Sequence, residues 1–146
     1  LIGVYDKNVM NLVANALLNL GTDRALILNS RDGLDEASIY AKTDILEIKQ
    51  NSIKSYSIDS RDYGIEGTNF DSIRTHKNRN SLDIIFSIIN NENSDAKEIA
   101  IFNSALLVML YKDITLDNAI NECRDSLESY SVRDKFNQYI DFTNQI

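Results

Sequence analysis

Three carboxylates follow a short apolar run, and they are the residues of this chain best suited to chemistry. Asp32, Asp35 and Glu36 lie in the segment DGLDE, shortly after ALIL at 25–28. Mg²⁺ is usually held by one or two carboxylates, with water and substrate phosphates completing its coordination. Two adjacent acidic residues in a turn could therefore hold a metal that a polyphosphate ligand also binds. A solvated acidic turn has the same pattern, because five residues carry little specificity.

A different phosphate chemistry begins in a similar way. In haloacid-dehalogenase-type phosphatases an apolar strand is followed by the motif D-x-D-G-T-L, whose first Asp forms an aspartyl-phosphate. Here the corresponding segment reads SRDGL at 30–34. Ser30 stands at the nucleophile position and the threonine of the motif is missing, so the sequence disfavours this interpretation.

The residues before the acidic segment have the pattern of a helix followed by a buried strand. A helix is predicted from Lys7 to Leu20, with Asp6 as its N-cap and Gly21 as the residue after its end. The wholly apolar run at 25–28 is typical of a strand buried on both faces in a parallel sheet. Ligands bind beyond the carboxyl ends of strands in open α/β sheets, so the acidic segment is well placed for a site.

A β-hairpin is predicted after the acidic segment. Its strands are ILEIKQ at 45–50 and IKSYSI at 53–58, with Asn51-Ser52 as the turn. An irregular stretch follows, from about residue 59 to residue 79. Together with the predicted helices, these elements indicate one α/β domain over residues 1–146, in which a short sheet with a β-hairpin is packed by about five helices.

The rest of the chain is predicted to be helical. A buried stripe with the spacing i, i+3, i+4, i+7 consists of Leu82, Ile85, Phe86 and Ile89. A long helix begins at Ser94 or Asp95, with Glu98 placed for a capping box from Asp95, and its apolar run IAIFNSALLVMLY indicates burial on most sides. Thr115 and Ser131 are the predicted N-caps of two more helices. Their apolar faces comprise Leu116, Ala119, Ile120, Cys123 and Leu127, then Val132, Phe136, Tyr139 and Ile140.

Two polar residues on apolar helix faces have structural interpretations. A buried asparagine must find hydrogen-bond partners, so Asn103 is predicted to bond the backbone of a loop. Cys123, the only cysteine, is predicted to be a buried thiol. Because it cannot form an internal disulfide, a reducing, cytoplasmic setting is expected.

Composition narrows the classes of partner. The net charge is −7, whereas nucleic-acid binding requires a basic surface, so no nucleic-acid partner is expected. No apolar run approaches the ~18 residues that a membrane span needs, so no membrane partner is expected. The start LIGVYDKNVM lacks the basic segment and cleavage site of a secretory signal. Since the chain lacks an initiator Met and opens on an apolar stretch, we expect it to be part of a longer protein.

Several segments resemble, in order, those of anthranilate phosphoribosyltransferases. Residues 2–38 resemble the family's stretch GVY, a helix, LG, RAL, a buried strand and HGxDGLDE, with Asn-Ser at 29–30 in place of His-Gly. DYGI at 62–65 resembles the family's DFGL, and Asn80 stands where the family has the Asn-Ala that opens a helix. FNSALLVMLY at 102–111 resembles the family's LNAAxxLY helix. The resemblance runs almost from end to end, and DGLDE is its most specific part.

The resemblance implies the C-terminal portion of the α/β domain found in phosphoribosyltransferases and nucleoside phosphorylases of this class. In the family, the Asp-Glu pair of DGLDE binds Mg²⁺ together with the diphosphate of phosphoribosyl diphosphate (PRPP). Carried over, the metal-binding residues are Asp35 and Glu36. The whole protein would join anthranilate to PRPP and release pyrophosphate, in tryptophan biosynthesis, and would form a homodimer through an upstream helical domain.

The family's substrate-binding segments are missing from this sequence. Its GTGGD loop, KHGNR segment and anthranilate-binding Arg are expected upstream of Leu1. RTHKNRN at 74–80 is similar to KHGNR, but it follows the hairpin and lacks the Gly, so it is interpreted as a solvated loop with His76 at the surface. No catalytic residue is assigned in this chain, and the chain alone is expected to be inactive. Two alternatives stay open: an inactive binding or scaffold module of the same fold, and a related nucleoside phosphorylase-type transferase.

Overall fold

The computed structural model describes residues 1–75 and 80–144, and within these ranges the chain forms one mixed four-stranded sheet and five α-helices. The strands are β1 (Ile2–Gly3), β2 (Arg24–Ser30), β3 (Thr43–Lys49) and β4 (Ser52–Ile58), and they lie side by side in that order. The helices are α1 (Met10–Asn19), α2 (Ser81–Ile89), α3 (Asp95–Lys112), α4 (Leu116–Glu128) and α5 (Ser131–Thr143). The predicted α/β fold is confirmed. His76 and most of the segment RTHKNRN lie outside the described residues.

The first helix has the predicted ends. The Asp6 side chain accepts a hydrogen bond from the backbone N–H of Asn8, and a short 3-10 turn at Lys7–Val9 leads into α1. After the helix, Gly21 adopts φ +78° and donates its N–H to Leu18 O at 2.9 Å. A left-handed residue at this position is a common helix ending, and glycine adopts it without steric cost.

Strand β2 is buried on both faces, as predicted, because it separates two apolar clusters. Successive side chains of a strand point to opposite faces, so Leu26 and Leu28 pack on the side of α3, whereas Ala25 and Ile27 pack on the side of α1. The expected parallel surroundings are only half correct. β2 is parallel to the two-residue β1 but antiparallel to β3 over its whole length. An apolar run in the sequence indicates that a strand is buried, but it does not indicate whether the neighbouring strands are parallel or antiparallel.

The β-hairpin is confirmed, with its turn one residue earlier than predicted. Lys49 pairs with Ser52, so Gln50 and Asn51 form the two-residue turn, and their φ angles are +53° and +58°. Two positive φ angles match the right-handed twist of the flanking strands, which favours such turns in hairpins. The irregular stretch that follows contains two short 3-10 helices, Ser60–Tyr63 and Phe70–Ile73.

Helix α3 packs on one face of the sheet and has more buried residues than any other described helix, as its apolar sequence indicates. Its N-cap is Ser94, whose hydroxyl accepts from Lys97 N. The predicted capping box from Asp95 is therefore wrong. The Asp95 carboxylate instead accepts from the backbone N–H groups of Thr68 and Asn69, at 2.9 and 2.8 Å, and ties the irregular stretch to the helix.

Helices α2 and α5 depart most from prediction. The predicted stripe on α2 is largely exposed: Leu82, Ile85 and Phe86 are 53, 41 and 44% exposed, and only Ile89 of that stripe is buried. The predicted face of α5 is not a core face, because no residue of α5 is fully buried. Its predicted N-cap is also wrong. Tyr130 occupies that position with φ +58°, and the Ser131 hydroxyl donates to Ser126 O.

The remaining helix prediction is confirmed. Thr115 caps α4 by accepting from Asn118 N, and Leu116, Ala119, Ile120 and Leu127 are buried against α3. Cys123, predicted to be buried, is only half-buried on this face, and this partial burial raises the pKa of its thiol. No single helix in the described ranges is long and apolar enough to span a membrane. The pair α3 and α4 passes such a test together but is bent by 118°.

Candidate functional site

The acidic loop, residues 31–42, leaves the carboxyl end of β2 and returns at the start of β3. Its first turn is closed by backbone hydrogen bonds from Gly33 N to Ser30 O at 3.1 Å and from Ser30 N to Leu34 O at 3.2 Å. The base of the loop is closed by Arg31 N, which donates to Lys42 O at 3.0 Å. The loop thus lies where the sequence predicts it, beyond the end of a buried strand.

The first carboxylate of DGLDE is used to fold the loop. Asp32 accepts from Leu34 N at 3.2 Å through one oxygen and from the Ser38 hydroxyl at 2.5 Å through the other. The same hydroxyl accepts from Tyr40 N at 2.9 Å. Asp32 therefore joins the two halves of the loop. Its carboxylate oxygens are less available to a ligand than those of Asp35 and Glu36.

The remaining pair of carboxylates faces outward without a protein partner. Asp35 is exposed and Glu36 is half-buried, and within the described ranges neither has an ion pair or a side-chain hydrogen bond. Burial raises the pKa of Glu36, and the neighbouring charges of Asp35 and Asp32 raise it further. An acidic pair whose charges are uncompensated attracts a cation, because a cation would offset the mutual repulsion.

Two contacts fix the backbone at Asp35 and at Ala37, on either side of Glu36. After the pair, Ala37 is fully buried and exchanges two hydrogen bonds with the amide of Asn103 on α3: Ala37 N donates to Oδ1 and Nδ2 donates to Ala37 O, both at 2.8 Å. This confirms the prediction that Asn103 bonds a loop backbone. Before Glu36, the backbone of Gly3 lies so close to Asp35 that any Cβ at Gly3 would overlap the Asp35 carbonyl oxygen. The pair is therefore presented by a firmly held segment.

A second charged cluster lies beside the loop, and the sequence pattern did not reveal it. Asp44 on β3 is buried and accepts from Lys7 Nζ at 2.5 Å, from Arg31 at 2.8 Å and from the Ser57 hydroxyl at 2.5 Å. The bond from Arg31 is the main cause that holds the pKa of Asp44 well below its usual range. Since Asp44 stands within an otherwise ordinary strand pattern, only the pairing of the strands brings it next to Arg31.

Metal binding at the acidic pair would depend on ligands beyond this chain's own side chains. No group of three or more His, Cys, Asp or Glu residues converges in residues 1–75 and 80–144. Asp35 and Glu36 supply the oxygen ligands that Mg²⁺ prefers, and one or two carboxylates are its usual protein share. The residues present thus fit a Mg²⁺ ion that is completed by water and by a phosphate ligand.

The family of the chain follows from its sequence. Residues 1–131 match the family model described as "Glycosyl transferase family, a/b domain". The chain belongs to this family. It is 35% identical to the anthranilate phosphoribosyltransferase of Legionella pneumophila (strain Paris) over 138 residues, which cover 94% of this chain and 40% of the relative. It is 30% identical to that of Nitrosomonas eutropha over 147 residues, which cover 100% of this chain and 43% of the relative. The chain therefore spans about 40% of the length of the curated relatives that it matches.

Solved structures of anthranilate phosphoribosyltransferases share the fold of this chain. Anthranilate phosphoribosyltransferase from Saccharomyces cerevisiae, in a variant with Mg bound, has a TM-score of 0.87 at 20% identity, and the match covers 99% of this chain and 42% of that chain. The same enzyme in complex with PRPP and Mg has a TM-score of 0.84 over the same shares. At this identity the likeness establishes the fold. The predicted resemblance to anthranilate phosphoribosyltransferases is confirmed by the sequence matches to the family model and to the curated relatives.

Proposed function

We propose that this glycosyl transferase family chain supplies the metal-binding acidic pair of an anthranilate phosphoribosyltransferase, which transfers the phosphoribosyl group from PRPP to anthranilate in tryptophan biosynthesis. One observation carries the proposal. Asp35 and Glu36 are the carboxylates of the acidic loop that remain unpartnered, and they lie at the carboxyl end of a buried strand. The relatives named above supply the reaction and the substrates, because this chain is similar to them over most of its length.

The role of the pair is electrostatic. A bound Mg²⁺ would supply charge neutralisation to the diphosphate that leaves during transfer. Asp35 and Glu36 would hold that ion, while Asp32 keeps the loop folded through Ser38. Without a diphosphate, two adjacent carboxylates offer an incomplete site and Mg²⁺ loses its water reluctantly, so metal binding should be weak. When a diphosphate is bound, it would supply the missing ligands of the ion. Mg²⁺ should therefore strengthen the binding of the diphosphate, and the diphosphate should strengthen the binding of Mg²⁺.

Other parts of the proposal concern residues outside this chain. Transfer requires both substrates to be held in register, and no acceptor-binding residue is assigned here. We therefore expect the purified 146-residue chain to have no measurable transferase activity by itself. A homodimer formed through an upstream helical domain, and a cytoplasmic location, also stay predictions for the whole protein.

Calorimetric titration of the full-length protein with PRPP, with and without Mg²⁺, tests the proposal. The test variant combines Asp35→Asn with Glu36→Gln, which removes both charges and nearly preserves side-chain size. Removing even an outer-shell partner of a metal costs about 10–100-fold in affinity, so loss of both ligands should weaken Mg²⁺-dependent PRPP binding by at least about 100-fold. Binding without Mg²⁺ should change little.

The matched control combines Asp125→Asn with Glu128→Gln on α4, two exposed acidic residues whose replacement changes the net charge by the same amount. This control should bind PRPP like the unsubstituted protein. If the Asp35 and Glu36 variant also binds normally in Mg²⁺, the pair is only an acidic turn. If the unsubstituted full-length protein does not bind PRPP, one of the two alternative functions is favoured. Binding of a pyrimidine nucleoside would favour the phosphorylase-type transferase. Binding of neither compound would favour an inactive module.

A further inference from the structure

Asn103 reaches from the middle of helix α3 to the residue that follows the acidic pair. Its Oδ1 accepts from Ala37 N and its Nδ2 donates to Ala37 O, both at 2.8 Å, while Nδ2 also donates to Ile99 O within the helix at 3.0 Å. The amide therefore satisfies both backbone groups of a residue with no exposed surface. Such a two-point bond fixes the direction of the backbone as well as its position.

A second restraint acts on Asp35 itself, so Glu36 lies between two held backbone positions. Gly3 packs directly on the backbone of Asp35, with no room for a Cβ between them. The side chains of Asp35 and Glu36 carry like charges, and repulsion favours conformations of the loop in which they move apart. Holding Ala37 on one side and Asp35 on the other opposes that separation, so the two carboxylates stay on one short segment of defined shape.

We propose that Asn103 is a positioning residue for the metal site formed by Asp35 and Glu36. The inference rests on the proposed function, and it adds a residue from α3, 67 positions along the chain from Glu36, to the determinants of metal affinity. Asn103 touches neither metal nor substrate. It acts by keeping the loop in the geometry that binds Mg²⁺ before the ion arrives, which lowers the cost of ordering on binding.

Two substitutions in the full-length protein separate this role from a general structural one. Asn103→Ala removes every bond of the amide. Asn103→Ser retains a hydroxyl that can bond Ile99 O one turn earlier, as serine often does in helices, but it is too short to reach Ala37. The measured quantity is the Mg²⁺ concentration that gives half-maximal PRPP binding. We expect both variants to raise it by about tenfold or more, the usual effect of losing a partner that orients a metal ligand.

The control is Leu110→Ala, near the C-terminal end of α3. Leu110 is 8% exposed and packs in the apolar cluster that also contains Ala37. Its truncation should therefore lower the thermal unfolding midpoint at least as much as Asn103→Ala does. It should change the half-maximal Mg²⁺ concentration less than about twofold, because it leaves the acidic loop intact.

The outcomes distinguish the two proposals. If the Asp35 and Glu36 variant loses Mg²⁺-dependent binding but both Asn103 variants behave like Leu110→Ala, the positioning role is wrong and the proposed function stands. If the unsubstituted protein shows no Mg²⁺-dependent binding of PRPP, both are wrong. A raised Mg²⁺ requirement in both Asn103 variants, with Leu110→Ala unchanged, supports the positioning role.

Discussion

The acidic loop and the outer pair of helices, α2 and α5, differ in how they are held. Hydrogen bonds fix the loop from within through Asp32 and from α3 through Asn103, although its sequence is polar. The outer helices are apolar along one face, yet Leu82 and Tyr139 are 53 and 62% exposed. An aromatic contact joins them, with the rings of Phe86 and Phe136 5.9 Å apart. In this molecule, apolar periodicity alone is a poor guide to burial, whereas specific hydrogen bonds hold the polar loop in place.

The same substitution at two phenylalanines is the strongest test of this contrast. Phe102 on α3 has no exposed surface, whereas Phe86 on α2 is 44% exposed. We expect Phe102→Ala to lower the free energy of unfolding by about 3–5 kcal/mol, because it leaves a cavity in the core. Phe86→Ala should cost about 1–1.5 kcal/mol, from partial burial and the loss of its contact with Phe136. Urea denaturation of the two purified variants measures both values, and equal costs would contradict the contrast.

Two glycines show whether the loop is held on all sides or only on one. A methyl group at Gly3 would overlap the Asp35 carbonyl oxygen, so Gly3→Ala should displace β1 or the loop at a cost of about 3 kcal/mol. At Gly33, on the first turn of the loop, a Cβ meets nothing within 4 Å, but φ is +91°. Gly33→Ala should therefore cost only about 1–2 kcal/mol, from backbone strain. Thermal unfolding of the two variants compares them, and a Gly33→Ala that is the more damaging would show that the tip of the loop is packed.

Sequence alone predicts the elements whose signals are local. The cap at Asp6, the left-handed Gly21 and the strand built on the apolar run at 25–28 each follow from a few adjacent residues, and the structure contains all three. The position of the acidic pair after β2 is predicted for the same reason. The contact of Asn103 joins distant parts of the chain, yet the sequence also predicts it. A buried amide inside an apolar helix needs a hydrogen-bond partner, and this need indicates a contact with a loop.

The failures of prediction arise where a distant residue decides the outcome. Asp95 has the local pattern of a helix cap, but it bonds Thr68 and Asn69 because the chain brings that stretch alongside. Asp44 has no local signal, since its partners Lys7 and Arg31 come from other elements. The apolar stripe of α2 satisfies the spacing of a buried face, but spacing shows which residues share a face and does not show whether another element covers it.

The smallest expected change in the free energy of unfolding is that of Glu36→Gln. This substitution should affect stability and Mg²⁺-dependent PRPP binding in opposite directions. Burial, with the charges of Asp35 and Asp32, raises the pKa of Glu36 above its ordinary value of 4.5, so the folded protein holds the Glu36 proton more tightly than the unfolded chain does. Stability from this group is therefore present below pH 4.5 and is lost as the pH rises through the raised pKa. At pH 7 the charged Glu36 opposes folding, and Glu36→Gln should stabilise the protein.

The gain should be less than about 1 kcal/mol, because Glu36 is only half-buried and solvent screens its repulsion. It should shrink towards zero as the pH is lowered below 4.5, since the unsubstituted carboxyl is then neutral as well. Unfolding midpoints measured at several pH values test this, with the exposed Glu128→Gln on α4 as the control for loss of one negative charge. Glu36→Gln should at the same time weaken Mg²⁺-dependent PRPP binding in the full-length protein. A variant that is less stable at pH 7 would show that Glu36 has a stabilising partner, and its place in an uncompensated acidic pair would then be wrong.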